Sequence, residues 1–193
     1  MARWEPGARE RLQAAALELY VRQGFEQTTV EEIARAAGLT ERTFFRHFAD
    51  KREVLFNGQE ELERFFLDGI RAAAPDASPL EMVAGALATS AGFFADERRS
   101  WSRLRDAVIS AHPPLKEREL LKMAALAAAM AGALRARGVA DRAAVLAAES
   151  GVTVFGVAFT QWIAEGETRS LAEVEREVLA DLGELAGARA AKR

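Results

Sequence analysis

No stretch of this sequence alternates apolar and polar residues for more than a few positions, whereas apolar residues recur at helical spacing along most of its length. Alanine and leucine dominate, and the β-branched and aromatic residues that favour strands are sparse by comparison. The sequence therefore predicts an all-α protein. A length of 193 residues suits one compact unit, or a small module fused to a moderate one.

Glycine, proline and four capping sequences mark the predicted helix boundaries. The capping sequences have Ser, Thr or Asp followed three residues later by Glu, and they begin at Thr29, Asp50, Ser78 and Ser170. Together these signals predict nine helices, at about residues 8–23, 30–37, 41–47, 51–73, 79–96, 98–111, 115–137, 141–166 and 171–189.

Composition excludes several kinds of chemistry. The chain has no cysteine and only two histidines, so we expect no disulfide, no metal site and no cysteine nucleophile. No phosphate-binding loop or serine-centred catalytic motif is present, and we expect no cofactor and no catalytic residues. The first residues do not resemble a signal peptide, and no uncharged apolar run reaches the roughly 20 residues that cross a bilayer. We therefore expect a cytoplasmic protein that is not associated with a membrane.

An enzyme is the weakest alternative. His112 could form an acid–base pair with Asp106 or Glu117, but it precedes Pro113 and Pro114 at a predicted helix end. A histidine in that position more often interacts with the terminal carbonyls of the helix.

The most informative segment lies between Gly24 and Phe48. A short capped helix at 30–37 is followed by Gly38, which suits a tight turn, and then by a second short helix that begins after Thr40. Phe44 and Phe48 share one face of this second helix, and its other faces are polar and cationic. The net charge of the chain is −3, but basic residues are concentrated between positions 42 and 52. The pattern fits a helix-turn-helix, or a helical hairpin whose charged face is merely solvated.

Residues of about 9–56 resemble the DNA-binding domain of the TetR family of transcriptional regulators. The resemblance rests on the Ala-Gly-Leu-Thr turn, the aromatic residues at 44, 45 and 48, and Lys51 at the next predicted helix start. It implies a three-helix DNA-binding domain at 1–50 and a roughly six-helix effector-binding and dimerisation domain at 51–193. It further implies a homodimer that binds a palindromic double-stranded DNA operator, usually as a repressor, and is released by a small-molecule effector. An all-helical protein-interaction module without DNA binding remains the alternative.

The resemblance assigns roles to individual residues of the second short helix and its surroundings. Arg42 would donate to guanine, and Glu41 would accept from cytosine. Phe45 departs from the family's usual tyrosine and lacks the hydroxyl that reaches a phosphate. Arg46 is either a phosphate contact or a solvated residue. The remaining phosphate contacts would be Thr29, Thr43, His47 and Lys51.

The last two predicted helices would form the dimer interface of such a protein. The segment 152–163 is apolar nearly all round, so it must be covered on two sides, although a buried central helix in a monomer fits as well. The resemblance implies a four-helix bundle between two copies. The interface residues would be Gly151, Gly156, Ala158, Val174, Val178 and Leu182.

Aromatic and methionine residues in the second domain predict an effector cavity, although most such residues belong to the core of a protein. The effector would be largely apolar or aromatic, or an acyl chain if an arginine lies at the mouth. Its binding would shift the population of dimers, with the helix at 51–73 as the lever. The predicted lining is Phe66, Phe93, Trp101, Met123, Phe155, Phe159 and Trp162, with Arg103, Arg105, His112, Glu149 and Gln161 as polar candidates.

Overall fold

The computed structural model describes residues 7–187, and the secondary structure of this part is entirely helical, which confirms the predicted fold class. Three short 3-10 helices, at Glu53–Phe56, Ala91–Phe93 and Asp96–Arg98, lie between the α-helices. The α-helices are α1 (Ala8–Gln23), α2 (Val30–Ala36), α3 (Glu41–His47), α4 (Gln59–Ala72), α5 (Pro79–Ser90), α6 (Arg99–Ser110), α7 (Pro113–Ala136), α8 (Asp141–Trp162) and α9 (Leu171–Gly187).

Three of the four predicted capping boxes form as expected. At Ser78, for example, the backbone amide donates to Glu81 at 2.7 Å, and the Ser78 hydroxyl accepts from the Glu81 amide at 3.3 Å. Thr29 and Ser170 make the same pair of interactions with their glutamates.

The predicted continuous helix at 51–73 is wrong. The Asp50 carboxylate accepts from the amides of Arg52 and Glu53, but the Glu53 side chain pairs with Arg118 instead of returning to residue 50. A single 3-10 turn follows, and Gly58 then adopts a φ of +91°, which a side chain would disfavour. Because α4 begins only at Gln59, no single helix of 51–73 can act as a lever. The predicted helix at 79–96 likewise ends early, at Ser90.

The chain forms two compact units that divide within α6 and α7. The first consists of residues up to Gly58 together with Leu104–Glu119, and the second of Gln59–Arg103 together with residues from Leu120 onward. The functional division at residue 50 stays a prediction.

In the first unit, the segment 104–119 packs against the 3-10 turn at Glu53–Phe56. The guanidinium carbons of Arg105 and Arg118 lie 5.4 and 5.7 Å from the centre of the Phe56 ring. Arg105 also donates to the Leu55 carbonyl at 2.6 Å. The core around α1–α3 is apolar and comprises Leu12, Ala16, Leu19, Tyr20, Phe25, Ile33, Ala34, Phe44 and Phe48.

In the second unit, α4 and α5 cross at two glycines. A Cβ added at Gly69 would lie 2.5 Å from the carbonyl oxygen of Gly85, so only glycine permits this backbone contact. Helix α8 has the length and hydropathy of a membrane span, but so does the core helix of many proteins. Since Ala148, Val154 and Trp162 are buried in this unit, we interpret α8 as a core helix.

Three residues assigned to the dimer interface lie inside the protein's own core, which corrects the sequence-based assignment. Ala158 and Val174 are fully buried, and a Cβ on Gly151 would lie 2.8 Å from the Val83 side chain. Val178 and Leu182 are partly buried against the same core. Gly156 alone of the six is exposed, and a Cβ added there would have no atom of the described residues within 4 Å.

Candidate nucleic-acid interface

Helix α2 is fixed at its start by Thr29. The Thr29 hydroxyl accepts from the Glu32 amide at 3.2 Å, and the Thr29 amide donates to the Glu32 carboxylate at 2.8 Å. The hydrogen bond from the Thr29 amide, and a second one from its hydroxyl, lower the pKa of Glu32. Thr29 is exposed, as a phosphate contact requires, but in this structure its hydroxyl is already bonded to Glu32.

The turn between α2 and α3 contains the left-handed residue that the sequence predicts. Gly38 has a φ of +66°, and the amide of Leu39 donates to the carbonyl of Ala34 at 2.8 Å. Thr40 then caps α3 by accepting from the Thr43 amide at 3.2 Å. These local hydrogen bonds set the angle at which α3 leaves α2.

The orientation of α3 follows from its phenylalanines. Phe44 is fully buried and Phe48 is 4% exposed, so the opposite face of the helix points to solvent. Arg42 and Arg46 lie on that face, and Glu41 is exposed at the start of the helix. Phe45 is also there and is 55% exposed, which is unusual for so large an apolar side chain.

The two arginines of α3, Arg42 and Arg46, differ from Arg35 and Arg52. Arg35 pairs with Glu31 at 2.5 Å, and Arg52 pairs with Asp50 at 2.6 Å. Within residues 7–187, the guanidinium groups of Arg42 and Arg46 make neither a hydrogen bond nor an ion pair. Their donors are therefore free for a ligand.

Two residues predicted to contact phosphate, Lys51 and His47, have polar atoms that are buried or already bonded within the protein. The Lys51 ammonium donates to the carbonyls of Phe25, Glu26 and Thr28 at 2.8–3.1 Å, so all three of its protons are used inside the first unit. Nε2 of His47 is buried and has no hydrogen-bond partner among the described residues. Only Nδ1 of His47 remains for a phosphate. The roles of both residues in DNA binding stay predictions.

Sequence reasoning overlooked Arg9. Its guanidinium carbon lies 5.6 Å from the centre of the Phe48 ring, directly after α3, and its side chain is exposed. A cation of α1 thus lies beside the end of α3. Because Arg9 and Phe48 are far apart in the sequence, no local pattern indicates that they are close in space.

His112 interacts with the end of α6. Its Nδ1 is 2.7 Å from the Val108 carbonyl, which confirms the interaction expected at a helix end, and its ring contacts Phe25. Asp106 is partly buried, which raises its pKa, but it makes no hydrogen bond to His112. Across residues 7–187, no three potential metal-binding side chains cluster.

The predicted effector-binding aromatics are largely brought together in the second unit. Phe66, Phe155, Phe159 and Trp162 form a cluster with ring centroids 5.4–5.9 Å apart. Phe94, which the sequence-based selection omitted, is the centre of this aromatic cluster and contacts Phe93 as well. Trp101 makes no ring contact among the described residues, and Met123 packs at the edge of the core.

Most polar candidates for the cavity are engaged elsewhere or exposed. Arg103 donates to the carbonyls of Ile163 and Ala164 at the end of α8. Arg105 and His112 belong to the first unit. On α8, Glu149 is exposed and Gln161 is half-buried.

The helix-turn-helix segment matches known proteins. Residues 12–57 match the family model described as bacterial regulatory proteins, tetR family. The HTH-type transcriptional regulator TcmR from Streptomyces glaucescens is 42% identical over 78 residues. The helix-turn-helix segment is of the TetR-family type. The relative that this segment matches is named a transcriptional regulator. The TcmR alignment covers 40% of this chain and spans about a third, 34%, of TcmR itself.

Solved structures of transcriptional regulators share the fold over nearly the whole chain. The transcriptional regulator FadR from Bacillus subtilis, in complex with stearoyl-CoA, is 18% identical with a TM-score of 0.60, covering 89% of this chain and 95% of that one. The Thermus thermophilus FadR, a TetR-family transcriptional repressor in complex with lauroyl-CoA, is 26% identical with a TM-score of 0.50, covering 89% and 91%.

Proposed function

We propose that this chain is a ligand-responsive transcriptional regulator, a cytoplasmic repressor that binds a palindromic operator as a homodimer and is released by a small, largely apolar effector. The observation that carries the proposal is the exposed face of α3, where Arg42 and Arg46 have free donors beside the exposed ring of Phe45. An arginine without an intramolecular partner keeps all five donors for guanine edges or phosphates.

The remainder of the α3 face fits the same function. Glu41, at the start of α3, can accept a hydrogen bond from a cytosine amino group. Phe45 supplies the apolar contact that a thymine methyl group would use. Arg9 extends the cationic surface beyond the end of α3, and phosphates are the groups it would reach.

Selection of bound sequences from a random duplex library, followed by affinity measurement, tests this proposal. We expect a palindromic consensus, and we expect Arg42→Ala to weaken binding by about 1–3 kcal/mol and to relax the preference at one base pair of each half-site. Arg35→Ala is the matched control, because Arg35 is also exposed but is paired with Glu31 on α2. Salt-independent binding, or no enriched sequence at all, would favour the protein-interaction module.

The proposed dimer uses the exposed parts of α8 and α9. Three large apolar side chains on these helices are exposed: Leu146 (62%), Val157 (52%) and Leu185 (73%). Leaving so much apolar surface in contact with water is unfavourable for the two helices. Gly156 lies on the same exposed side of α8 as Val157 and would let a second helix approach closely. A twofold dimer presents two copies of α3 to successive major grooves, which accounts for a palindromic site.

The effector is proposed to act on the second unit, beside the partly buried rings of Phe93, Phe94 and Phe159. Two FadR structures with this fold hold acyl-CoA, which is consistent with a ligand that has a large apolar part. By thermodynamic linkage, effector and operator should weaken each other's binding by the same factor.

A further inference from the structure

The core of the second unit holds one buried acid among the described residues. Glu175, in the first half of α9, is 2% exposed. Neither of its carboxylate oxygens has a hydrogen-bond partner within residues 7–187. Its core neighbours on the helix, Leu171 and Val174, are apolar and fully buried.

A buried serine on α5 satisfies this carboxyl group only in part. Ser90, at the end of α5, is fully buried, and its single hydroxyl proton is donated to the Leu87 carbonyl at 2.9 Å. Burial raises the pKa of Glu175 to about 8, and the Ser90 hydroxyl offsets only part of this effect.

A glutamate in this position costs stability. A buried polar group without a partner destabilises the folded state, and replacing it by an apolar residue of similar size is often stabilising. Among the described residues, only the Ser90 hydroxyl offsets part of this cost. A hydrogen-bond donor from a bound molecule would offset the remainder.

The residues near Glu175 indicate which kind of molecule would bind there. Ser90 is followed directly by the turn at Ala91–Phe93 and by Phe94, the centre of the aromatic cluster. Phe94 lies 5.5–5.9 Å from the rings of Phe155, Phe159 and Trp162. Aromatic faces attract organic cations, and a carboxylate attracts them more strongly.

We propose that Glu175 binds the protonated amine of the effector, so that the effector is an aromatic or otherwise largely apolar amine whose body lies against the aromatic cluster. This inference rests on the proposed function, since it names the chemical class of the effector that the second unit is proposed to bind. An anionic head group would keep Glu175 protonated and would gain no ion pair at this end of the unit.

Three probes of the same shape test the proposal with the full-length protein. They are 2-naphthylmethylamine, the neutral 2-naphthylmethanol and the anionic 2-naphthoate, each titrated by calorimetry at neutral pH. We expect the wild-type protein to bind the amine at least ten-fold more tightly than the alcohol, and the naphthoate most weakly.

Two variants identify the residue responsible. Glu175→Gln keeps the shape of the side chain, and it should reduce the preference for the amine to less than two-fold while leaving the affinity for the alcohol unchanged. Glu184→Gln is the matched control, because Glu184 is an exposed acid on the same helix, and it should behave as wild type. Glu175→Leu should fold, resist heat better than wild type and show no preference for the amine.

The proposal is overturned if wild type does not distinguish amine from alcohol, if neither probe binds, or if Glu175→Gln keeps the preference. Operator binding without probes separates this outcome from a failure of the proposed function. A protein that binds its operator but shows no amine preference contradicts only the role of Glu175, whereas a protein that binds no operator contradicts the proposed function itself.

Discussion

The ammonium of Lys51 lies 4.6 Å from the centre of the Phe25 ring and donates to the Phe25 carbonyl at 2.8 Å. The backbone of Lys51 is held as well, because its carbonyl accepts from the Tyr20 hydroxyl at 2.6 Å. Lys51 therefore ties the segment after α3 to α1 and to the turn that follows it. This relationship makes Lys51 a structural residue of the helix-turn-helix domain.

Lys51→Met should destabilise the first unit. The substitution keeps the aliphatic stem but removes the donor shared by three carbonyls, which should cost roughly 1–3 kcal/mol of unfolding free energy. Urea denaturation measures the effect. Arg46→Met is the control, since Arg46 is exposed and unpaired among the described residues, and it should change stability by less than about 0.5 kcal/mol. If Lys51→Met were as stable as wild type and lost only DNA affinity, the phosphate contact predicted from the sequence would be correct.

Arg9→Ala should weaken operator binding at every sequence to a similar extent. If Arg9 contacts a phosphate from its position over Phe48, its loss should reduce the slope of log affinity against log salt by roughly one. Arg22, exposed at the other end of α1, serves as the comparison. Equal salt slopes for Arg9→Ala and Arg22→Ala would show that the position of Arg9 has no bearing on DNA.

Phe45→Tyr should tighten operator binding. The added hydroxyl would extend from a ring that is already 55% exposed, and one new phosphate hydrogen bond is worth about 0.5–1.5 kcal/mol. Fluorescence anisotropy with the selected operator measures the gain. An unchanged or weaker affinity would contradict the expected phosphate contact.

Gly156→Arg should convert the proposed dimer to a monomer without unfolding the chain. No described atom lies within 4 Å of a Cβ at Gly156, so the monomer has room for the side chain, whereas a second helix in close approach does not. Gly132→Arg is a close control, because Gly132 is also an exposed helical glycine with open space. Light scattering gives the mass of each variant. Dimers of both variants would contradict an interface at Gly156.

The stability of the wild-type protein should fall, relative to Glu175→Gln, as the pH rises. Because the pKa of Glu175 is about 8 in the folded state and near 4.5 when unfolded, the native state binds the extra proton between these values. Its contribution is complete below pH 4.5 and is lost as the pH rises through 8, at up to about 1.4 kcal/mol per pH unit. Urea denaturation at several pH values measures the difference between the two proteins.

The charged residues on the helices packed against α9 should not change the difference in pH-dependent stability between wild type and Glu175→Gln. Those on α5 and α8 are exposed in the structure, and they are common to both proteins. Parallel stability profiles for wild type and Glu175→Gln would contradict the prediction. The residues concerned are Glu81, Asp141, Arg142 and Glu149.

The sequence by itself determined the helical class, the capped starts at Thr29 and Ser78, and the turn at Gly38. It also determined which face of α3 is exposed, because Phe44 and Phe48 lie four residues apart on one side. All of these features depend on interactions between residues at most a few positions apart. Such interactions can be predicted directly from the local order of residues.

Only the tertiary structure decided the partners of Lys51, the break before α4, and the burial of Gly151, Ala158 and Glu175. Each of these depends on which segment, distant in sequence, packs against the residue. An apolar helix such as α8 carries no polar face to orient it, so its sequence does not say which side meets its own core and which side is left for a second copy. Packing against α5 and α9 makes that choice, because only one orientation places the small residues of α8 where a neighbouring helix comes closest.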